Sequence, residues 1–388
     1  MSRHYLDHAS TSPLRDSARL AFQEMLALQN NATIGDPGRI HYEGMHARAI
    51  LEQARAQVAE LLNAKQREIV FTSGATESIA TAVWGAVRRS VDAGQRPRIV
   101  HSSIEHSAVR RSSEQFADAF GGEIVIVGVD SVGRVKVDAF LEQLTPNTSL
   151  AHLQWGNHEV GTLQPVAEIA SACKDRGILL HVDAAQAVGR IPVDPGELGI
   201  DLLSFSSHKF GGPSGIGGLW IRKGLRLEPL ITGGEQERAR RAGLENLPAA
   251  VAFGTAAAEL DDGRLIEEAM RSRSAIATAV ERVTEIDGVT LLGPTDPDER
   301  LPHLVCLAIE GVEPQGVVLG LDRRGIALHS GSSCASEGLE PSPVLAAMGV
   351  DAHRSLRVSV GHSTTTDDIE ALCASLPIVL SELRSLQT

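Results

Sequence analysis

Lys209 closes an apolar run and precedes a row of glycines in SFSSHKFGGPSGIGG, residues 204–218. The only other lysines are Lys65, Lys136, Lys174 and Lys223, so chemistry that needs an amine has few candidates. A Walker-type phosphate loop places its glycines before Lys-Ser/Thr, and here the order is reversed. A surface lysine before a Gly-rich turn is the ordinary alternative. At the end of a buried strand, however, a lysine is desolvated, which lowers its pKa and suits it to Schiff-base chemistry with a carbonyl. Asp183 ends a second apolar run, ILLHVDAAQ (178–186), where a carboxylate is costly without a cationic partner.

Taken singly, Asp183 reads as a helix cap or a structural ion pair. Taken with Lys209, it matches what proteins contribute to pyridoxal phosphate chemistry, a lysine for the aldehyde and an acid for the ring nitrogen. A phosphate cup would complete the set. TSGATES (72–78) follows a β-rich run and can open a helix, so Ala75 and Thr76 could receive a phosphate at the helix N-terminus. Ser206 and His208 are additional donors. Alone, such a turn is usually just an N-cap.

Cys173, Cys306, Cys334 and Cys373 show neither zinc-type spacing nor a disulfide framework. Three of them sit in apolar patterns and read as small buried hydrophobes. Cys334 differs, because HSGSSCASEGLEPSP (329–343) surrounds it with small and turn-favouring residues. A thiol on such a loop can be exposed, and its thiolate is the reactive form.

These residues need a scaffold that brings strand ends together. The middle of the chain alternates β-rich runs with helical patterns, as in REIVFTSGATES, PRIVHSSIEHSAVR, SLAHLQWGNHEVG, GILLHVDAAQAVG and DLLSFSSHKF. This predicts an α/β domain on a largely parallel sheet, with ligands bound beyond the carboxyl ends of the strands. After about residue 250, AAVAFGTAAAEL and RLIEEAMRSRSAIATAVERV predict long helices, followed by the shorter strands HLVCLAIEG, GIALHS and LRVSVG of a smaller α+β domain. The expected division is 14–255 for the large domain, with 1–13 and 256–388 for the small one.

Composition sets outer bounds. The 388 residues are 43% hydrophobic and 22% charged, ordinary for a globular protein of two domains. A net charge of −13 argues against direct binding to nucleic acid or an anionic membrane. MSRHYLDHASTSPL carries no apolar signal region, and EIVIVGV is too short to span a bilayer, so a cytoplasmic location is expected.

The chain resembles cysteine desulfurases of the NifS/IscS type, within the class-V aminotransferases and the fold type I pyridoxal phosphate enzymes. The resemblance rests on YLDHAST, FTSGATES, EHSAV, GNHEVGTLQPV, HVDAAQAVG, SFSSHKFGGPSGIGG, GGEQERARRAGLEN, HSGSSC, LEPS and LRVSVG, in family order over nearly the whole length. It implies a mainly parallel seven-stranded sheet in the large domain, N-terminal residues that join the small domain, and a homodimer. By motif it assigns the Schiff-base link to Lys209, the ring nitrogen to Asp183 and stacking on the ring to His106. Asn157 and Gln186 match positions near the phenolic oxygen, with Asn157 also near the substrate. Ala75, Thr76, Ser206 and His208 match the phosphate set, and Arg357 the clamp on the substrate carboxylate, a task for a planar guanidinium.

The implied reaction converts L-cysteine to L-alanine. Lys209 moves the α-proton, His106 shuttles a proton near the substrate thiol, since histidine titrates near neutrality, and Cys334 receives the sulfur as a persulfide for an acceptor protein. Iron–sulfur cluster assembly, tRNA thiolation and DNA phosphorothioation are all candidate destinations. A selenocysteine lyase, an aminotransferase or a non-catalytic sulfur-relay partner are the competing readings. The chain also departs from the family pattern at Asp36–Arg39, at Ile79 and Ala80, at Leu244 in place of a threonine that reaches the phosphate across the dimer, and at Gly361–Ser363.

Overall fold

The computed structural model describes residues 3–331 and 341–386. In chain order the strands are His4–Tyr5 (β1), Ile69–Thr72 (β2), Arg98–Ser102 (β3), Glu123–Val127 (β4), Leu150–Gln154 (β5), Leu180–Asp183 (β6), Leu202–Ser206 (β7), Gly217–Ile221 (β8), Val289–Leu292 (β9), Leu304–Ile309 (β10), Ile326–Ala327 (β11) and Ser355–Ser359 (β12). Seven of them form one sheet in the order β2-β8-β7-β6-β5-β3-β4. Neighbours from β7 through β4 run parallel, whereas β8 is antiparallel to both β2 and β7. The expected mainly parallel seven-stranded sheet is therefore present. Its central strands β5, β6 and β7 are buried at every position, which is why they read as continuous apolar runs rather than alternating ones.

Helices cover the faces. Leu247–Ala258 is buried nearly all round, with Phe253 against Phe71, Phe205 and Phe210, while Ala75–Asp92 buries Ile79, Ala82, Val83, Ala86 and Val87 at helical spacing. A second core lies around the antiparallel sheet β12-β10-β9 and includes Leu6. The N-terminal segment reaches that unit: β1 pairs in parallel with β11, and Asp7 bridges to Ser359. The long helix Asp262–Val283 links the two cores, with Leu265 in the first and Ile276, Ala279 and Val283 in the second. Among the described residues no helix is long and apolar enough to cross a membrane.

Candidate active site

The carboxyl ends of β2, β6 and β7 open onto a cavity of about 490 Å³. It brings together Ala75, Thr76, His106, Asp183, Gln186, Ser206, His208, Lys209 and Arg357, nine of the residues singled out from sequence. Asn157 is not among the lining residues. It is fully buried, and its side-chain oxygen accepts from the N–H groups of Glu159 (2.8 Å) and Val160 (2.9 Å), so it shapes the loop after β5 while its neighbours Gly156 and His158 face the cavity. Cys334 lies outside the described residues.

Lys209 sits in a single helical turn directly after β7. Its Nζ donates to the carbonyl oxygens of Ala9 (2.7 Å) and Ser10 (3.0 Å). Burial, reinforced by Arg357, pushes its pKa down from 10.5 to about 8. The glycines beyond it serve close packing. At Gly217 a Cβ would lie 2.7 Å from the Gly74 backbone and the Phe205 oxygen, so a side chain there would push the turn at residues 73–75 out of place.

Asp183 accepts from the Ala185 N–H at 3.0 Å, yet burial raises its carboxyl to about 6. No described cation forms an ion pair with it. Opposite, the helix Ala75–Asp92 begins at Gly74 without a side-chain cap, leaving its first N–H groups directed at the Ala75 and Thr76 side of the cavity. His208 hydrogen-bonds Thr11 through Nδ1 (3.2 Å), and burial followed by Lys209 lowers it to about 4.

His106 caps the helix Ser107–Ala119. Its Nδ1 accepts from the Ala108 N–H (3.1 Å), which places the ring proton on Nε2, and its ring meets that of His158 edge-on with centroids 5.3 Å apart. Free histidine titrates near neutrality. Here burial, then His158 and Lys209, hold His106 down at about 3, so the ring is neutral at physiological pH.

Arg357 reaches the cavity from β12. Its Nη1 donates to the His158 oxygen (2.8 Å), and its Nη2 to Asp7 (2.9 Å) and Ser10 Oγ (2.7 Å). Gln186 donates to the Ala9 oxygen (2.8 Å) and meets His303 Nε2 at 3.1 Å. Residues 7–10 thus hold three of the site's side chains, a role that sequence reasoning missed. Three of these contacts use backbone carbonyls, which leave no trace in residue type.

The site has the three features a phosphorylated pyridine aldehyde needs: a buried amine, a buried acid lacking a counter-ion and an uncapped helix N-terminus. The Aminotransferase class-V profile matches residues 4–372. The chain belongs to the class-V aminotransferase family. Its enzymes depend on pyridoxal phosphate, and the residues present fit that group.

Similar members include "Cysteine desulfurase IscS 1" of Archaeoglobus fulgidus, 38% identical over 385 residues and 98% of each chain. "Cysteine desulfurase" of Cereibacter sphaeroides is 38% identical over 390 residues, covering 100% of this chain and 98% of that one. Among solved structures, a "NIFS-LIKE PROTEIN" superposes with a TM-score of 0.88 at 31% identity, covering 98% of this chain and all of the other. "SspA in complex with cysteine" does so at 0.79 and 27%, covering 93% and 100%.

Cys173, Cys306 and Cys373 are buried free thiols, and burial pushes the first two up to about 12. They behave as core residues, as expected.

Proposed function

We propose that the protein is a cysteine desulfurase, taking sulfur from L-cysteine, leaving L-alanine, and passing the sulfur on from Cys334. The observation that carries this is the full-length likeness to relatives named cysteine desulfurase, joined to Lys209, Asp183 and Arg357 around one cavity. Bound there, pyridoxal phosphate supplies an aldehyde that condenses with amines and a ring that accepts electrons from the α-carbon.

The chain's own residues do the rest. Asp183 would hold the proton of the ring nitrogen, and the first N–H groups of the helix at Ala75 and Thr76, with Ser206 and His208, would receive the phosphate. His106, a neutral imidazole with its proton on Nε2, would cover the ring, and Gln186 would present its amide to the phenolic oxygen. Asn157 acts on the site by shaping the loop that carries His158. Arg357 binds the substrate carboxylate. Lys209 Nζ, partly unprotonated near neutral pH, takes the α-proton. The Cys334 thiolate then attacks the substrate sulfur: the new S–S bond forms as the Cβ–S bond breaks, the carbon keeps the electron pair, and a proton completes alanine.

We read the chain as a large domain of residues 14–255 and a small one of 1–13 with 256–388, joined through the helix Asp262–Val283. We also read it as a homodimer working in the cytoplasm, where free thiols stay reduced. The dimer reading is supported by segments 36–48 and 235–245, which share the wall of one cavity and leave Ile40 (92%), Tyr42 (71%), Met45 and Leu244 exposed. The acceptor would be a protein that docks near Cys334, whether for iron–sulfur clusters, for tRNA thiolation or for phosphorothioate DNA.

The test is alanine and sulfide production from cysteine with a reductant, for wild type and Cys334→Ala. Equal sulfide release by the two proteins rules out transfer through Cys334, and a protein that takes up no pyridoxal phosphate rules out the whole reading.

A further inference from the structure

Beneath the cavity lies a row of buried titratable groups that the proposed reaction does not use. His101, His152 and His181 occupy one register across the adjacent parallel strands β3, β5 and β6. His181 is two residues before Asp183 on the same strand, hence on the same face of the sheet. His152 and His181 have no exposed surface, and Glu105, at the end of the turn after β3, is almost as buried.

The contacts are short. His181 Nδ1 lies 2.6 Å from His152 Nδ1, and His152 Nε2 lies 3.3 Å from Glu105 Oε2. Neither of these last two atoms has a hydrogen-bond partner among the described residues, so they face each other as a close ionic contact, and His181 Nε2 likewise has none among them. The other Glu105 oxygen accepts from Ser102 Oγ and the Gln154 N–H (3.1 Å). His101 is set apart by its own bond, Nδ1 to the Ser102 oxygen at 2.8 Å.

Two nitrogens at 2.6 Å share one proton, so neutral His152 and His181 have two consistent arrangements. With Glu105 ionised, His181 Nδ1–H donates to His152 Nδ1, and His152 Nε2–H lies beside the carboxylate. When the chain gains one proton at His181 Nε2, the shared proton passes to His152 Nδ1 and the proton of His152 Nε2 passes to Glu105, which becomes neutral. One proton gained by the chain thus switches both rings. We propose that Glu105, His152 and His181 form a proton-sharing chain whose charge state sets how firmly the cofactor's ring nitrogen, above Asp183, holds its proton.

Burial places the Glu105 carboxyl at about 7, inside the working range, and its negative charge acts to raise Asp183. The charged and titratable groups facing Glu105 are His101 and His152 from the strands, His158 from the loop after β5, and Asp183. All three members of the chain are positioning residues, since none lines the cavity.

The proposal rests on the pyridoxal phosphate reading, so the experiment has one arm that needs the cofactor and one that does not. Histidine-selective nitrogen NMR of wild type, without cofactor, is followed through neutral pH. His152 and His181 are expected to exchange tautomers in one common step, absent in Glu105→Gln; rings that keep fixed tautomers overturn the chain. In the loaded protein, nitrogen NMR of ring-labelled pyridoxal phosphate should show the ring nitrogen losing its proton about one pH unit lower in Glu105→Gln than in wild type. An unchanged midpoint overturns the link to the cofactor. If wild type itself fails to load, the cofactor reading falls and the histidine arm still decides the chain. If only the variant fails to load or fold, the wild-type histidine arm decides.

Discussion

Lys209 offers the sharpest test of the site, because its environment sets a number. A lysine at 10.5 is neutral at pH 7 in about three molecules per ten thousand, whereas one at about 8 is neutral in about one tenth, a gain of about 300-fold in free amine. Only the neutral amine attacks an aldehyde. Uptake of pyridoxal phosphate by cofactor-free enzyme should therefore rise tenfold per pH unit up to about 8 and then level off. Visible absorbance after rapid mixing, at a series of pH values, reads the rate.

A second perturbation fixes the cause. Asp183 acts to raise Lys209, opposing burial and Arg357. In Asp183→Asn that support is lost, and the plateau should begin below pH 8. A rate that keeps climbing past pH 10 in the wild type would refute the desolvation argument. A plateau unmoved by Asp183→Asn would refute the electrostatic one.

Two further outcomes test the supporting structure. Glu237 accepts from Arg55 at 2.5 and 2.7 Å, with both side chains buried, and it holds a loop where Glu237, Arg238 and Ala239 all have positive φ. Glu237→Gln leaves the buried guanidinium with Glu52 as its remaining carboxylate among the described residues, so urea unfolding should show a loss of about 3 kcal/mol, and no loss would refute the pairing. Gly217→Ala forces a Cβ against the Gly74 backbone, and cofactor affinity in equilibrium titration should fall by roughly 10-fold or more, in line with about 1–3 kcal/mol of overpacking; unchanged affinity would show that the turn at residues 73–75 does not set the phosphate subsite.

Lys209 and Asp183 were legible in the sequence because Asp183 ends the buried strand β6 and Lys209 follows the buried strand β7 by one helical turn, and a polar residue closing an apolar run is visible without knowing its neighbours. The alternation of strands and helices was legible for the same reason. β8 was not, because its first residues continue the glycine row after Lys209 and glycine is a poor strand marker. Asn157 showed a second limit: residue type suggests a ligand donor, but the oxygen is spent on the turn it closes. The row of Glu105, His152 and His181 depends on strand register, and register is a tertiary property.

Residues 7–10 tie these points together. One short segment supplies the carbonyls of Ala9 and Ser10 to Lys209, the Ala9 carbonyl to Gln186, and Asp7 with Ser10 Oγ to Arg357. Asp7 thereby occupies the guanidinium edge that would receive a carboxylate. Arg357 Nε has no hydrogen-bond partner among the described residues, while both of its terminal nitrogens are engaged. Nε is itself buried, so a substrate carboxylate bound at Arg357 as proposed would take Nη2 and release Asp7, which also frees Ser10 and loosens one hold on Lys209. Substrate binding at Arg357 and release of the amine at Lys209 would then be coupled through four residues of backbone, with no side chain running between them.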